Sequence, residues 1–349
     1  MDKILSVVAE QRASDLHLSV GSVPIIRLDD KLITLENEDV ITKEFIQGFV
    51  DDLLDKDQKK TLEEKKEVVL AYQFQKRARF RINIFYQKGV LAVYFRLIGD
   101  TIIPLQKLGL PDTLQKFTQL PKGLVITSGS FGSGKTSTAA SMIDYINQTT
   151  SSYILTIEEP IEYIFQNKKS IIEQREVGRD TISFEQALST ITQEDVDLLY
   201  VSELTTKKII KDILNIAASG RLVIANIEAD TIIKTFEAVI YNFPSNEQQQ
   251  IRELLSQNLA GIICQRLVPK IGGGQIAVAE ILTSTPPIQS LIKEGSLYQM
   301  NNIIQTSREE GMVSLDWSLA ELIKTNQISL DDALKNASDP QQLKYMLKA

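Results

Sequence analysis

The most specific chemical signal in the sequence is a glycine-rich segment at residues 129–136. Its letters, GSFGSGKT, fit the pattern G-x-x-x-x-G-K-[ST]. In that pattern the glycines let the backbone wrap around phosphates, the lysine supplies a positive charge, and the final hydroxyl can bind Mg²⁺. The segment therefore predicts a nucleoside triphosphate site, held by Gly129, Ser130, Phe131, Gly132, Ser133, Gly134, Lys135, Thr136 and Ser137.

The flanking residues place this segment between a strand and a helix. An apolar run at 124–127 precedes it, and apolar residues with helical spacing follow from Ala139 to Ile146. A helix that begins there would point its free N–H groups at the phosphates. The alternative, an accidental Gly/Ser-rich turn, does not account for the strand and the helix on either side.

Carboxylates follow two other apolar runs. Glu158, Glu159 and Glu162 come at or after the run 154–157, and Glu203 follows the run 198–201. Because parallel strands end at the ligand crevice, these acids could position a water molecule or hold Mg²⁺, with Thr136 as the other metal ligand. A solvated acidic turn remains the alternative for 158–162, and apolar runs that end in an acid are common.

Three arginines form a further candidate group in the first hundred residues. Arg79 and Arg81 alternate with apolar residues, so a strand would place both on one face with Asn83, and Arg96 lies on the next predicted strand. Two interpretations stay open: a solvated polar face, or arginines that contact the nucleotide of a neighbouring subunit.

The order of apolar patterns predicts an α/β protein of more than one domain. Residues 1–100 combine helices with β-branched and aromatic strands, one helix being expected at 43–60, and residues 101–115 are rich in turn formers. From 116 to 285, short continuous apolar runs alternate with helices, as in a buried parallel sheet, and Gly272–Gly274 predict a hairpin turn. Residues 286–349 are predicted to be mostly helical.

Composition restricts the function and the location. The 349 residues carry 38 basic and 45 acidic side chains, a formal net charge of −7, which disfavours a nucleic-acid-binding surface. No secretory signal and no apolar stretch of about 20 residues occurs, so we expect a cytoplasmic protein. The single cysteine, Cys264, lies in an apolar run and is expected to be a buried, inert thiol.

The chain resembles the PilT-type retraction ATPases of type IV pili, within the secretion ATPase superfamily. The resemblance covers nearly the whole chain and is carried by these segments: 129–136, TIEEPIE at 156–162, QREVGRDT at 174–181, ASDLHLS at 13–19 and PIQSLIKE at 287–294, which is similar to the motif AIRNLIRE.

This resemblance implies a RecA-like ATPase core behind a PAS-like N-terminal domain, with a helical C-terminal region. It implies ATP and Mg²⁺ as ligands, Glu162 as the catalytic glutamate, Glu203 as the Walker B acid, and Arg79, Arg81 and Arg96 as phosphate-sensing arginines. It further implies a hexameric ring that acts on the inner-membrane platform protein of the pilus machine and drives retraction.

The sequence departs from the family pattern at the His box. Arg221 and Glu228 stand where the family has histidines, and Glu159 replaces an aspartate. Glu228 near the γ-phosphate would be an acceptor of like charge, and Arg221 is expected to compensate as a donor. Three interpretations follow. The first is a retraction ATPase with slow or partner-dependent hydrolysis, and the second is an ATP-binding but weakly or non-hydrolysing accessory subunit that regulates an active paralogous ATPase. The third is a nucleic-acid translocase, which the acidic net charge disfavours.

Overall fold

A computed structural model describes residues 1–11, 13–28, 31–75, 78–98 and 101–348. The chain forms two compact units, which are described separately below. Unit 1 consists of Met1–Thr101 with Pro160–Ile164, and unit 2 consists of Ile102–Glu159 with Phe165–Ala349. The domain end expected at Asp100 lies outside the described residues.

Unit 1 combines an antiparallel sheet with helices. In its described part, six strands pair in the order β3-β2-β1-β6-β5-β4. The strands are β1 (Asp15–Ser19), β2 (Ile25–Leu28), β3 (Lys31–Thr34), β4 (Glu67–Phe74), β5 (Ala78–Gln87) and β6 (Val90–Ile98). The helices are α1 (Asp2–Gln11), α2 (Lys43–Leu53) and α3 (Lys56–Lys65). The expected α+β character of this region is confirmed.

The core of unit 1 lies on one face of this sheet. Strand β5 alternates buried and partly buried residues, so Phe80, Ile82 and Ile84 enter the core while the residues between them do not. Phe80 contacts Phe95 of β6 edge to face, with ring centroids 5.9 Å apart. Each such side chain contributes about 1.5–3 kcal/mol when it is removed from water.

The prediction of a single helix at 43–60 is wrong, because the structure has two helices in this region. The structure divides it into α2 and α3, because Leu54 is extended and Asp55 starts a new helix. The Asp55 carboxylate accepts a hydrogen bond from Gln58 N at 2.8 Å, and the Gln58 side chain accepts one from Asp55 N at 3.2 Å. This capping box is worth about 1 kcal/mol and fixes the break in the helix.

Unit 2 is built on a mostly parallel sheet. Within its described residues, seven strands pair in the order β13-β12-β7-β11-β10-β8-β9, and only the β12–β13 pair is antiparallel. The strands are β7 (Gly123–Gly129), β8 (Tyr153–Glu158), β9 (Ile171–Glu176), β10 (Leu198–Val201), β11 (Leu222–Glu228), β12 (Leu259–Pro269) and β13 (Gln275–Thr283).

The helices of unit 2 connect these strands and fill its C-terminal part. They are α4 (Thr113–Thr118), α5 (Lys135–Thr149), α6 (Phe184–Thr190), α7 (Lys207–Ala218), α8 (Ile232–Ile240), α9 (Ser245–Asn258), α10 (Pro286–Glu294), α11 (Met300–Thr306), α12 (Leu315–Lys324), α13 (Leu330–Asn336) and α14 (Pro340–Met346). The predicted parallel sheet and helical C-terminal region are therefore confirmed.

Burial explains why the parallel strands read as continuous apolar runs. All residues of β7 and β10 are buried, since side chains on both faces of these strands pack against other residues. The predicted hairpin is the β12–β13 pair with its turn at Gly272–Gly274. Strand β9 was missed, because its exposed and polar residues lie at the edge of the sheet.

The single cysteine lies inside this sheet. Cys264 on β12 is 3% exposed, and burial raises the pKa of its thiol to about 12. A thiol with this pKa carries almost no thiolate at neutral pH, and thiolate is the reactive form. The expected burial of this thiol is therefore confirmed, and its raised pKa disfavours the reactive form.

No helix in the described part of the chain combines the length and the apolar character needed to cross a membrane.

Candidate functional site

The glycine-rich segment forms a loop between the end of β7 and the start of α5. Gly129 and Gly134 both have positive φ, +151° and +87°. A Cβ on Gly129 would collide with Ser133 Oγ and with the carbonyl oxygen of Gln265, and one on Gly134 would lie 2.7 Å from Gln265 Nε2. Only glycine fits at these two positions, so the loop can close tightly around a group in its centre.

Lys135 turns its side chain back into this loop. Its Nζ donates to the carbonyl oxygens of Gly129 at 2.7 Å and Ser130 at 2.8 Å. The ammonium group therefore lies inside the loop, within hydrogen-bonding distance of two of its carbonyl oxygens. Phosphate oxygens are stronger acceptors for an ammonium group than neutral carbonyls are, so an anion entering the loop can compete for these hydrogen bonds.

A glutamine from β12 holds the loop from the other side. Gln265 Oε1 accepts from Thr138 Oγ1 at 2.6 Å, and Gln265 Nε2 donates to the Ser133 carbonyl oxygen at 2.7 Å. All three residues are buried. One amide side chain thus connects the loop, the first turn of α5 and the strand next to β7, and this role was missed in the sequence. The one available signal was a polar residue inside the apolar run of β12.

Two features of the loop fit a phosphate ligand. The Ser133 hydroxyl is buried and has no hydrogen-bond partner among the described residues. The residue before α5, Gly134, supplies no side-chain cap, so the first N–H groups of a 15-residue helix receive no such hydrogen bond. Helix N-terminal N–H groups without a side-chain cap, an ammonium group and glycines at positions where a Cβ would collide are what a phosphate-binding loop requires. The residues present therefore fit a nucleotide phosphate chain.

Two of the candidate acidic residues, Glu159 and Glu203, lie at the edge of the sheet where β7 also ends. Glu159 N donates to Ser202 Oγ at 3.2 Å, and Leu204 N donates to the Asn226 carbonyl oxygen at 2.9 Å. These bonds bring the ends of β8, β10 and β11 together, with Glu203 exposed between Ser202 and Leu204. The exposed carboxylate of Glu203 can bind a cation directly or through one of the water molecules that hydrate the cation.

Glu158 has a different environment from Glu159 and Glu203. It is 2% exposed, and its Oε1 accepts from Thr156 Oγ1 at 2.6 Å and from Gln174 Nε2 at 3.1 Å. The hydrogen bond from Gln174 connects β8 with β9, whereas the one from Thr156 stays within β8. The structure therefore gives Glu158 a structural position inside the sheet.

The two positions of the altered His box lie at opposite ends of β11. Glu228 pairs with Gly129 in the parallel register and is exposed, so it lies directly beside the loop. Arg221 precedes the strand, and its guanidinium donates to Ser219 Oγ at 2.7 Å and to the Glu194 carbonyl oxygen at 3.0 Å.

The expectation that Arg221 compensates for the missing histidine beside Gly129 is wrong within one subunit. A strand of seven residues separates the two ends by about 20 Å, which is more than an arginine side chain spans. The carboxylate of Glu228 consequently has no compensating charge from Arg221 at the loop.

The three candidate arginines share one face of the sheet in unit 1. Arg81 on β5 is paired in register with Arg96 on β6, and Arg79 lies two residues along the same strand. Arg79 donates to the Ile161 carbonyl oxygen at 2.8 Å, and Arg81 forms an ion pair with Glu162 at 3.6 Å. The face therefore binds the short segment 160–164, which carries the candidate catalytic glutamate.

Arg96 is engaged differently. Its Nε donates at 3.0 Å to Asp15, whose side chain is 3% exposed and also accepts a hydrogen bond from Tyr94. Burial opposes ionisation of this carboxyl, but hydrogen bonds from Ser14 and Tyr94 and the Arg96 guanidinium hold its pKa below the usual value. Asp15 remains charged at neutral pH and fixes the position of Arg96.

The chain matches the model of one protein family over most of its length. The family described as type II/IV secretion system protein matches residues 1–273. The chain belongs to this family.

Similar proteins narrow the assignment within the family. The chain is 37% identical to the type IV pilus retraction ATPase PilT of Pseudomonas aeruginosa, over 97% of this chain and 98% of that protein. It is 33% identical to a twitching motility protein of Neisseria gonorrhoeae, over 97% and 92%. A crystal structure of the pilus retraction motor PilT with bound ADP matches with a TM-score of 0.86 and 38% identity, over 99% of both chains. The resemblance of this chain to the PilT-type retraction ATPases is therefore confirmed.

The role of Gln265 yields a prediction about stability. Replacing Gln265 by Ala leaves the buried Ser133 carbonyl and the Thr138 hydroxyl without their partner, which costs about 1–3 kcal/mol. We expect the free energy of unfolding, measured by denaturant titration, to fall by this amount.

The matched control is Gln249→Ala, since Gln249 is an exposed glutamine on α9 and surface changes of this kind stay within about 0.5 kcal/mol. If both variants unfold at the same denaturant concentration as the unchanged protein, Gln265 does not hold the loop.

Proposed function

We propose that this chain is an ATP-binding and ATP-hydrolysing ring motor of the type IV pilus machinery that drives pilus retraction and thereby twitching motility. The similarity to PilT over nearly the full length supports the assignment to retraction. The observation that carries it is the loop at 129–136, where the Lys135 ammonium group and the buried Ser133 hydroxyl lie within a backbone turn that admits no Cβ at Gly129.

In this proposal the phosphates of ATP occupy the loop formed by residues 129–137. Lys135 replaces its contacts to the loop carbonyls by contacts to the β- and γ-phosphates, and N–H groups at the start of α5 neutralise further charge. Thr136 and Glu203 are the proposed ligands of Mg²⁺, directly or through water. Bound Mg²⁺ would neutralise charge on the phosphate oxygens and orient them.

Glu162 is the proposed general base. Its carboxylate accepts a proton from a water molecule as the water oxygen forms a bond to the γ-phosphorus, and the bond from that phosphorus to the β–γ bridging oxygen of ADP breaks. Arg79, Arg81 and Arg96 are proposed to donate to phosphate oxygens across a subunit interface of a homo-oligomer. The ion pair between Arg81 and Glu162 would have to open for either group to act in this way.

We propose a hexameric ring, by resemblance to the PilT-type ATPases, that acts on the inner-membrane platform protein of the pilus machine. The chain would lie in the cytoplasm and be peripheral to the inner membrane through that machine. Proposed domain limits are a PAS-like domain at 1–100, a linker at 101–115, a RecA-like core at 116–285 and a helical region at 286–349. A nucleic-acid partner is disfavoured by the net charge of −7.

A second candidate function is favoured by Glu228. Its carboxylate beside Gly129 repels a triphosphate and cannot donate a hydrogen bond to it, whereas a histidine can. This residue supports slow or partner-dependent hydrolysis. In the extreme, it supports an accessory subunit that binds ATP, hydrolyses it weakly or not at all, and regulates an active paralogous retraction ATPase.

One prediction of this proposal separates ATP binding from ATP hydrolysis. We expect Lys135→Ala to lose both ATP binding and turnover, because the ammonium group contacts the phosphates. Glu162→Gln should keep ATP binding and lose turnover by about 10²–10⁴-fold, because the amide cannot accept the proton. Phosphate release and binding of a fluorescent ATP analogue measure the two effects, with oligomer size recorded for each variant.

Glu63→Gln is the matched control, since it makes the same chemical change on an exposed face of α3, and it should behave as the unchanged protein does. Turnover that survives in Glu162→Gln would remove Glu162 from the reaction.

A further prediction concerns Glu228. Glu228→Gln should tighten ATP binding by removing a negative charge beside the loop, and Glu228→His should in addition raise turnover by restoring a donor. Steady-state hydrolysis at saturating ATP measures the second effect. If the unchanged protein already turns over at about 1–100 s⁻¹ and Glu228→His does not raise this rate, the account of the altered His box is wrong.

A further inference from the structure

Unit 1 contains an open groove of about 760 Å³ that plays no part in the proposed hydrolysis. It lies between the outward face of α2, the start of α1 and the middle of β4, where residues 70–73 form one wall. The groove therefore runs between a helix and a strand.

The strand in this wall has a free edge. β4 is the last strand of its sheet, and no other strand of the described residues pairs with its outer side. The edge of an antiparallel sheet presents unpaired N–H and C=O groups to which another extended chain can add. The wall can thus bind a peptide backbone of any sequence, and the other walls would select its side chains.

The helix in the opposite wall carries a glycine at its centre. Gly48 lies inside α2, which continues through it, although glycine in a helix interior is unfavourable compared with alanine. A Cβ at this position would meet nothing within 4 Å. The missing side chain keeps the middle of the groove open, and aromatic rings flank the opening: Phe45 is 37% exposed, and Phe49 and Tyr72 also line the groove.

The groove has an acidic rim. Asp2, Glu44 and Asp52 line it, and the described residues include no ion-pair partner for any of them. A ligand with cationic groups and apolar stems would match both the carboxylates and the aromatic rings.

The spacing of the charges on α2 specifies the ligand further. Glu44 and Asp52 lie four residues on either side of Gly48, so they share its face and are about 12 Å apart along the helix. Four residues of an extended chain span about 13 Å and return to the same face. Two basic residues separated by three others would therefore reach both carboxylates, with the central residue over Gly48.

We propose that this groove binds an extended, basic segment of a partner protein, which adds as a strand to the edge of β4. Lysine or arginine side chains at positions i and i+4 of the segment contact Glu44 and Asp52, and an apolar side chain at i+2 lies in the opening above Gly48 between the aromatic rings.

A labelled peptide tests the proposal on the full chain. The probe is a fluorescein-labelled, capped peptide with the sequence TKTVTKT, and its partner is the scrambled peptide TKKVTTT, which has the same composition and charge. Fluorescence anisotropy at low salt should show saturable binding of the first peptide and at least tenfold weaker binding of the second. Equal affinities for the two peptides, or no binding of either, would overturn the proposal.

Variants locate the peptide in the groove. Gly48→Leu should abolish binding by filling the opening, whereas Gly48→Ala places only a methyl group in open space and should retain it. Glu44→Gln with Asp52→Asn should weaken binding at least tenfold, and Glu63→Gln with Glu64→Gln, the charge-matched control on α3, should not. Circular dichroism and thermal melting verify that each variant is folded. If Gly48→Leu does not fold, Phe45→Ala replaces it, and we expect Phe45→Ala to weaken binding of the peptide.

Two further results bear on the proposal. Lys135→Ala should bind the peptide as well as the unchanged protein does, so failure of the ATPase assignment leaves this test intact. If Gly48→Leu instead changes the oligomer size of the chain, the groove is covered by a second copy of this protein, and the proposal of a basic partner segment is wrong.

Discussion

The nucleotide site depends on one close approach of backbone. Where β7 turns into α5, the chain passes so near to Ser133 and to the carbonyl of Gln265 that no side chain fits at Gly129. The turn brings the Lys135 ammonium group onto the loop carbonyls and leaves the first N–H groups of α5 without a side-chain cap. Gln265 holds this arrangement through one hydrogen bond to the loop and one to the helix. The loop is thus preorganised for an anion by covalent geometry and buried hydrogen bonds.

The parallel sheet determines which groups can reach that loop. Strands β8, β10 and β11 end at the same edge as β7, so Glu159, Glu203 and Glu228 lie on the ligand side, whereas Arg221 lies at the far end of its strand. In unit 1 the arginines of β5 and β6 are held by Ile161, Glu162 and Asp15. The charged groups that would act on a phosphate are therefore positioned by strands. Two of them, Arg81 and Arg96, already form ion pairs within the subunit.

Much of this arrangement could be predicted from the sequence, because its signals are local. The phosphate loop is a contiguous pattern, and strands buried on both faces appear as continuous apolar runs, as in β7 and β10. The contacts that were missed join distant positions: Gln265 bonds to residues 127 and 132 positions earlier, and no local pattern records such a pair. Arg221 was misplaced for a related reason, since only the strand direction shows which end of β11 faces Gly129. The break between α2 and α3 was readable from Asp55 and Gln58, which form the capping box, and from the polar run 55–61 that follows Leu54.

The central claim is that the loop at 129–136 binds a nucleoside triphosphate, and calorimetric titration of the unchanged protein with a non-hydrolysable ATP analogue and Mg²⁺ tests it most directly. The account predicts saturable binding of one nucleotide per occupied site, with heat that disappears in Lys135→Ala. An absence of binding by the unchanged protein at millimolar analogue, or undiminished binding by Lys135→Ala, would contradict it.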